Sequence, residues 1–309
     1  MPSGDGQQKI TPMSSPLRHA VLGAGGVGGL MAACLAHSDA SVTLVLRPES
    51  LAHYPERLQL ESRFGNFTVS VSRAAEVPPC DVLWLTVKAT QLESSLAALT
   101  HPESVGAIVP LLNGIDHLSL LRGKYGKDKI IPATIGVESE RVAPGHIVHR
   151  SVFALLNVSS TGRALLGTTL EQLQRLGFDC HFIDDELTMM WTKLIFIAGF
   201  ALTSTASGMA TADMLAVPEW RQLGLGCLRE ASAVAVAEGA RVDADAIIAG
   251  ALKMPGNLRS SMQKDVERGS PPELDAVAGP ILRGASRHGI EVPATKKLVA
   301  AIEKKIARL

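Results

Sequence analysis

The residues Gly23-Ala24-Gly25-Gly26-Val27-Gly28 follow a G-x-G-x-x-G spacing between an apolar stretch, His19 to Leu22, and a run of small residues, Val27 to Ala36. A strand, a glycine turn and a helix in that order suit a dinucleotide. Gly23 allows the tight turn, Gly25 the close approach of a pyrophosphate, and Gly28 the packing of helix on strand, with phosphate charge at the helix N-terminus. A glycine turn without a ligand is the competing reading. The residue closing the next strand distinguishes the two nicotinamide dinucleotides, because an acid there accepts hydrogen bonds from free ribose hydroxyls. Here it is Arg47, whose guanidinium suits a 2′-phosphate, so NADPH is expected over NADH. A solvated arginine at a strand end is the alternative.

Lys193 is the only charged residue in the apolar stretch Met189 to Leu202. Desolvation there lowers a lysine pKa towards the working pH. Such a lysine can supply the proton that a ketone oxygen needs once hydride reaches its carbon; a side chain snorkelling to the surface is the alternative. Ser260 and Ser261 precede a helical pattern, Met262 to Arg268. One of them reads as an N-cap, and a hydroxyl together with helix-terminal amides also suits a carboxylate. Asp265 reads as a residue complementing the helix dipole, and Glu273, after Pro271 and Pro272, as a first-turn acid. His146 and His149 are three apart on a strand and point to opposite faces. No other group has metal-ligand spacing, and no metal is expected.

The elements that hold these residues follow from periodicity. Ser41 to Leu46, Val82 to Val87, Ala107 to Leu112 and Ile130 to Ile135 read as further strands, with a helical pattern from Gln91 to Leu99. This alternation predicts an α/β Rossmann-type domain with a parallel, doubly wound sheet. Gly145 to Leu156 and Cys180 to Ile183 read as its last strands, with a helix from Thr168 to Leu176 between them. From Glu186 onward long helical patterns dominate, which predicts an all-α C-terminal domain. The first of these helices, Glu186 to about Leu202, is apolar nearly all round and should lie inside that domain or along the crevice. The last runs from Ala294 to Leu309. The expected division is a disordered tail over residues 1–15, a dinucleotide-binding domain over 16–184 and a helical substrate domain over 185–309.

Composition sets outer bounds. Of the 309 residues 46% are hydrophobic and 19% charged, and thirty basic residues balance thirty acidic ones. No net field draws nucleic acid or an anionic membrane, which leaves a small-molecule substrate as the expected partner. The four cysteines are too far apart for a CxxC pair and read as buried thiols. The N-terminus lacks the apolar core of a secretory signal, and Met189 to Leu202 falls short of the ~20 apolar residues of a membrane span, so a cytoplasmic protein is expected, as a monomer or homodimer.

Taken in order, GAGGVG with Arg47, TVKATQ (Thr86 to Gln91), LLNG (Leu111 to Gly114), PGHIVH (Pro144 to His149), WTKL (Trp191 to Leu194), SSMQKD (Ser260 to Asp265) and PELD (Pro272 to Asp275) resemble the ketopantoate reductase family over nearly the whole chain. The resemblance implies a Rossmann domain joined to a helical one, with NADPH and a 2-oxo acid in the crevice between them. The implied reaction is reduction of ketopantoate to pantoate for pantothenate synthesis. It also implies roles. Lys88 and Gln91 resemble residues near the cofactor, Asn113 the asparagine at the nicotinamide end, Lys193 the catalytic lysine, Ser261 the substrate-binding serine, and Glu273 the late catalytic glutamate. The family's two asparagines one and two turns beyond the lysine are Ile197 and Ala201 here, and the asparagine three residues before the serine is Leu258, with Asn257 one residue out of register. These departures point to a second reading, a more apolar 2-oxo acid or ketone as substrate. A non-catalytic NADPH-binding module is a third.

Overall fold

The computed structural model describes residues 16–308; the tail expected over residues 1–15 lies outside them. Among the described residues there are twelve strands: β1 Arg18–Leu22, β2 Ser41–Val45, β3 Arg57–Glu61, β4 Phe67–Ser70, β5 Ser72–Ala74, β6 Cys80–Leu85, β7 Val105–Pro110, β8 Ala133–Gly136, β9 Ser139–Ala143, β10 His146–His149, β11 Leu155–Ser159 and β12 Asp179–Ile183. The helices that matter for the site are α1 Gly26–His37, α2 His117–Tyr125, α3 Arg163–Leu176, α4 Glu186–Ile197, α5 Pro218–Ala237, α6 Ser261–Glu267, α7 Leu274–His288 and α8 Pro293–Ile306.

β1 lies at the centre of a five-stranded, all-parallel sheet in the order β5-β2-β1-β6-β7. Ala20 of β1 stands opposite Thr43 on one side and Leu83 on the other. Such a sheet is covered on both faces, and so its strands are continuous apolar runs rather than alternating ones. Beyond it the α/β region departs from a single sheet. β4-β3-β10-β9 form a second sheet and β12-β11-β8 a third, in which β11 pairs antiparallel with β8. The stretch Gly145 to Leu156 is therefore not one strand: β10 and β11 belong to different sheets, parted by a loop in which the Ser151 hydroxyl donates to Phe153 O at 2.6 Å. Ile130 makes only an isolated bridge to Ile108, and the strand begins at Ala133. The pattern from Gln91 to Leu99 is not one helix either. It is a 3₁₀ turn, the short helix Leu92–Ser95 and another 3₁₀ turn, which bury Leu92, Leu96 and Leu99 as a continuous helix would.

Two glycines of the first turn are dictated by contact. A Cβ on Gly28 would lie 1.8 Å from Gly23 O, and one on Gly26 2.0 Å from Ser139 O. α1 consequently sits close on the sheet, its buried face made of Leu30, Met31 and the small residues around them.

From Glu186 the chain is helical, forming an all-α region after the Rossmann-type one. α4 joins the two. Met189 and Met190 enter the core beside Leu83, Leu85 and Leu118, whereas Trp191, Leu194 and Ile195 enter the helical core with Cys227, Leu228 and Ile281. The helix expected from Glu186 to about Leu202 does not stop there: after α4 a π-helical segment, Ala198–Leu202, leads into the helix Thr203–Ser207. The whole run has 22 residues, long and apolar enough to cross a membrane, against the sequence expectation. Most of it is buried inside the chain instead, as a core helix is. At the far end Leu298 and Ile302 of α8 are fully buried, each contributing about 1.5–3 kcal/mol.

Candidate active site

The glycine turn is anchored from beneath by Thr86, whose hydroxyl donates to Leu22 O at 3.0 Å and Gly23 O at 2.8 Å. Gly25 is exposed and has no atom within 4 Å of where a Cβ would stand. That open approach, at the head of a 12-residue helix with no acid in its first turn, fits a pyrophosphate. Ala24 and Val27 complete the turn, and Arg47 is exposed two residues beyond β2. The strand ends β1 and β2, the turn and Arg47 thus form one edge that suits a dinucleotide.

Lys88 and Gln91 lie on the turn after β6. Lys88 Nζ is 2.7 Å from Asp265 Oδ1 of α6, so Asp265, which the sequence presents as a dipole-complementing residue, joins the two regions. Three further ion pairs link α6 and its neighbours to the α/β region: Lys264–Glu138 and Arg268–Glu140, both at 2.7 Å, and Arg283–Asp116. Ser260 caps α6, accepting from Gln263 N at 3.1 Å and taking a bond from the Ser204 hydroxyl at 2.8 Å. That leaves Ser261, the first residue of α6, exposed.

Glu273 stands at the N-cap position of α7, but its side chain does not serve as the cap. It makes no cap bond. Its carboxylate, only 8% exposed, instead accepts from Ala89 N at 2.6 Å and from Asn113 Nδ2 at 3.0 Å. One carboxylate therefore ties the Lys88–Gln91 turn and the Asn113–Gly114 turn to the helical region. Removing it leaves two donors unpaired, at about 1–3 kcal/mol. Glu273→Ala is accordingly expected to lower the urea midpoint, and an unchanged midpoint would show that the carboxylate does not hold these turns.

Lys193 lies on the middle of α4, between the two cores. Burial lowers its pKa from 10.5 to about 8, against the opposing influence of the Glu273 carboxylate. The structure thus gathers Lys193, Glu273, Asn113, Ala89 and Lys88 along the seam between the regions. Asn257 is not gathered in: it is exposed on the loop before α6, while Leu258 O accepts from Thr211 N and its hydroxyl. Ile197 packs against the helical core and Ala201 is part of it. Ile197 ends α4, and Ala201 lies in the π-helical segment that continues it. Sequence reading missed the bridging parts of Asp265 and Glu273 because their partners are 177 and 184 residues away. Among the described residues no group of three or more His, Cys, Asp or Glu could hold a metal ion.

Fold and site together fit an oxidoreductase of two parts, an α/β region whose glycine turn suits a dinucleotide and a helical region that meets it at a seam. Residues 19–160 match the family model described as ketopantoate reductase PanE/ApbA, and residues 185–306 its C-terminal counterpart. The chain belongs to the ketopantoate reductase family. It is 31% identical to a 2-dehydropantoate 2-reductase of Caulobacter vibrioides over 92% of this chain and 97% of that one. Among solved structures, a PanE/ApbA family ketopantoate reductase from Ralstonia eutropha JMP134 superposes with a TM-score of 0.83 at 25% identity, covering 94% of this chain and 99% of the other. D-mandelate dehydrogenase, in its ternary structure with NADH and anilino(oxo)acetate, shares the fold with a TM-score of 0.83 at 20% identity, over 94% and 99% of the two chains.

Proposed function

We propose that this chain reduces 2-dehydropantoate to pantoate with NADPH, dividing at 184/185 into a dinucleotide-binding domain and a helical substrate domain. The observation that carries the reading is Lys193, brought by α4 to the seam where Glu273 already holds Asn113 and the Lys88 turn. The bound dinucleotide supplies the hydride. Gly23, Gly25 and the first amides of α1 hold its pyrophosphate, Arg47 its 2′-phosphate, and Lys88 and Gln91 flank it. Asn113 aligns the keto group. Ser261, with the terminal amides of α6, binds the substrate carboxylate. As hydride reaches C2, Lys193 Nζ gives its proton to the carbonyl oxygen, leaving a neutral amine that takes a proton from solvent. Glu273 favours the charged lysine and accepts from the substrate hydroxyl.

Ile197 and Ala201 favour a second reading, reduction of a more apolar 2-oxo acid, because neither can hydrogen-bond a hydroxyl or carboxylate. The D-mandelate dehydrogenase fold neighbour, solved with anilino(oxo)acetate, is consistent with it. A panel of 2-oxo acids, followed by loss of nicotinamide absorbance, decides. Ketopantoate as the best substrate supports the first reading, and turnover confined to aryl or branched 2-oxo acids the second. Tight NADPH binding with no turnover anywhere would leave a binding module.

A further inference from the structure

Ser204, Thr205 and Ser260 form a cluster of buried hydroxyls between the helix Thr203–Ser207 and the start of α6. Ser204 Oγ donates to Ser260 Oγ at 2.8 Å, Gln263 N donates to the same oxygen at 3.1 Å, and Thr205 Oγ1 lies 3.4 Å from it. Two donors fill the lone pairs of the Ser260 oxygen and leave its own proton for Thr205, so the cluster is satisfied within itself. Its place in the fold gives it a consequence for the site. Glu186–Ser207 is one helical run, so Ser204 stands on the run that carries Lys193, while Ser260 is followed directly by the exposed Ser261. Lys305 of α8 holds this end of the run from another side, its Nζ donating to Thr205 O at 3.0 Å.

We propose that Ser204 is a positioning residue: its hydroxyl fixes α6, and Ser261 with it, at a set place on the helical run that carries Lys193. The inference rests on the reading of Lys193 as proton donor and of Ser261 as the hydroxyl that binds the substrate carboxylate. A 2-oxo acid has its carboxylate and keto oxygen on adjacent carbons, so the place of Ser261 relative to Lys193 decides whether both contacts form at once. The other contacts of α6 leave that place loose. Met262 packs with Ala201, Leu202 and Ala206, but apolar packing has no direction. The pairs Lys88–Asp265 and Lys264–Glu138 end on long lysine side chains with many rotamers. A serine oxygen turns about a single bond and its hydrogen bond is directional, which makes Ser204 to Ser260 the short, stiff link.

S204V and S204T, which share a shape and differ in the hydroxyl, test this in two arms. Hydrogen exchange over residues 260–267, read by mass spectrometry on the cofactor-free chain, should run about tenfold faster in S204V than in S204T, and S204T should match the wild type. Steady-state rates with the best substrate of the 2-oxo acid panel give the second arm. S204V should raise KM about tenfold over S204T, yet the two should differ by less than about twofold once S261A is added, because the effect passes through Ser261. A general weakening of the fold would raise KM equally in both backgrounds. Equal exchange in S204V and S204T would overturn the proposal, as would a KM effect that persists in full beside S261A. If the added methyl prevents folding, S204A against the wild type carries the same decision. A wild type inert towards every 2-oxo acid would refute the proposed function, whereas the exchange arm, which needs neither substrate nor cofactor, would still decide whether Ser204 holds α6.

Discussion

Lys193→Ala is expected to lower turnover by about 10²–10⁴-fold, the range for removal of a positioned general acid, with NADPH affinity almost unchanged. The split follows from geometry: Lys193 is on α4, whereas the glycine turn and Arg47 lie at the strand ends of the α/β region. Fluorescence titration of NADPH beside steady-state rates measures both halves. Equal turnover would remove Lys193 from the mechanism. The pH dependence has a definite sign. The proton donor is the ammonium, so activity should fall as pH rises through about 8, the lowered lysine pKa. Stability moves oppositely. Between pH 8 and 10.5 the unfolded chain keeps a proton that the folded chain has released, so the folded state gains stability with rising pH in that window. Lys193→Met should therefore stabilise the protein at neutral pH by on the order of 1–2 kcal/mol, less than the full pKa shift because the half-buried side chain keeps some hydration. An activity loss coupled to a stability gain marks a residue kept for chemistry.

Arg47→Asp is expected to reverse the choice of dinucleotide. A charge-assisted pair with a 2′-phosphate contributes about 1.5–3 kcal/mol, so its loss alone weakens NADPH roughly ten- to a hundredfold. The new carboxylate adds repulsion towards the phosphate and an acceptor for the ribose hydroxyls of NADH. Arg47 suits such a test because it is exposed and belongs to no core, so its replacement should leave folding intact. The ratio of kcat/KM for NADPH and NADH is the quantity to compare. An unchanged ratio would mean that another group reads the phosphate.

What sequence could supply depended on the range of the forces involved. The first βαβ unit was legible nearly to the residue, Ser41 to Leu46 against the observed Ser41–Val45, because a buried parallel strand is an apolar run whatever surrounds it. β3 and β4 were not. Arg57–Glu61 alternates correctly, with Leu58 and Leu60 buried, but five residues with three polar ones give a weak signal. Leu92, Leu96 and Leu99 have helical spacing, which successive short turns satisfy equally well. At the site, Lys193 stood out because a charge in an apolar run is a local anomaly. Glu273 did not, since its two partners belong to turns distant in sequence and only the fold aims its carboxylate at them.

The measurement that bears most directly on the central claim is the fate of deuterium from NADPH doubly labelled at C4 of the nicotinamide. After incubation with ketopantoate, mass spectrometry should find one deuterium at C2 of pantoate, in step with the NADPH consumed and nearly absent with Lys193→Ala. Pantoate without label would contradict direct hydride delivery, and absence of labelled product from ketopantoate would contradict the proposed substrate.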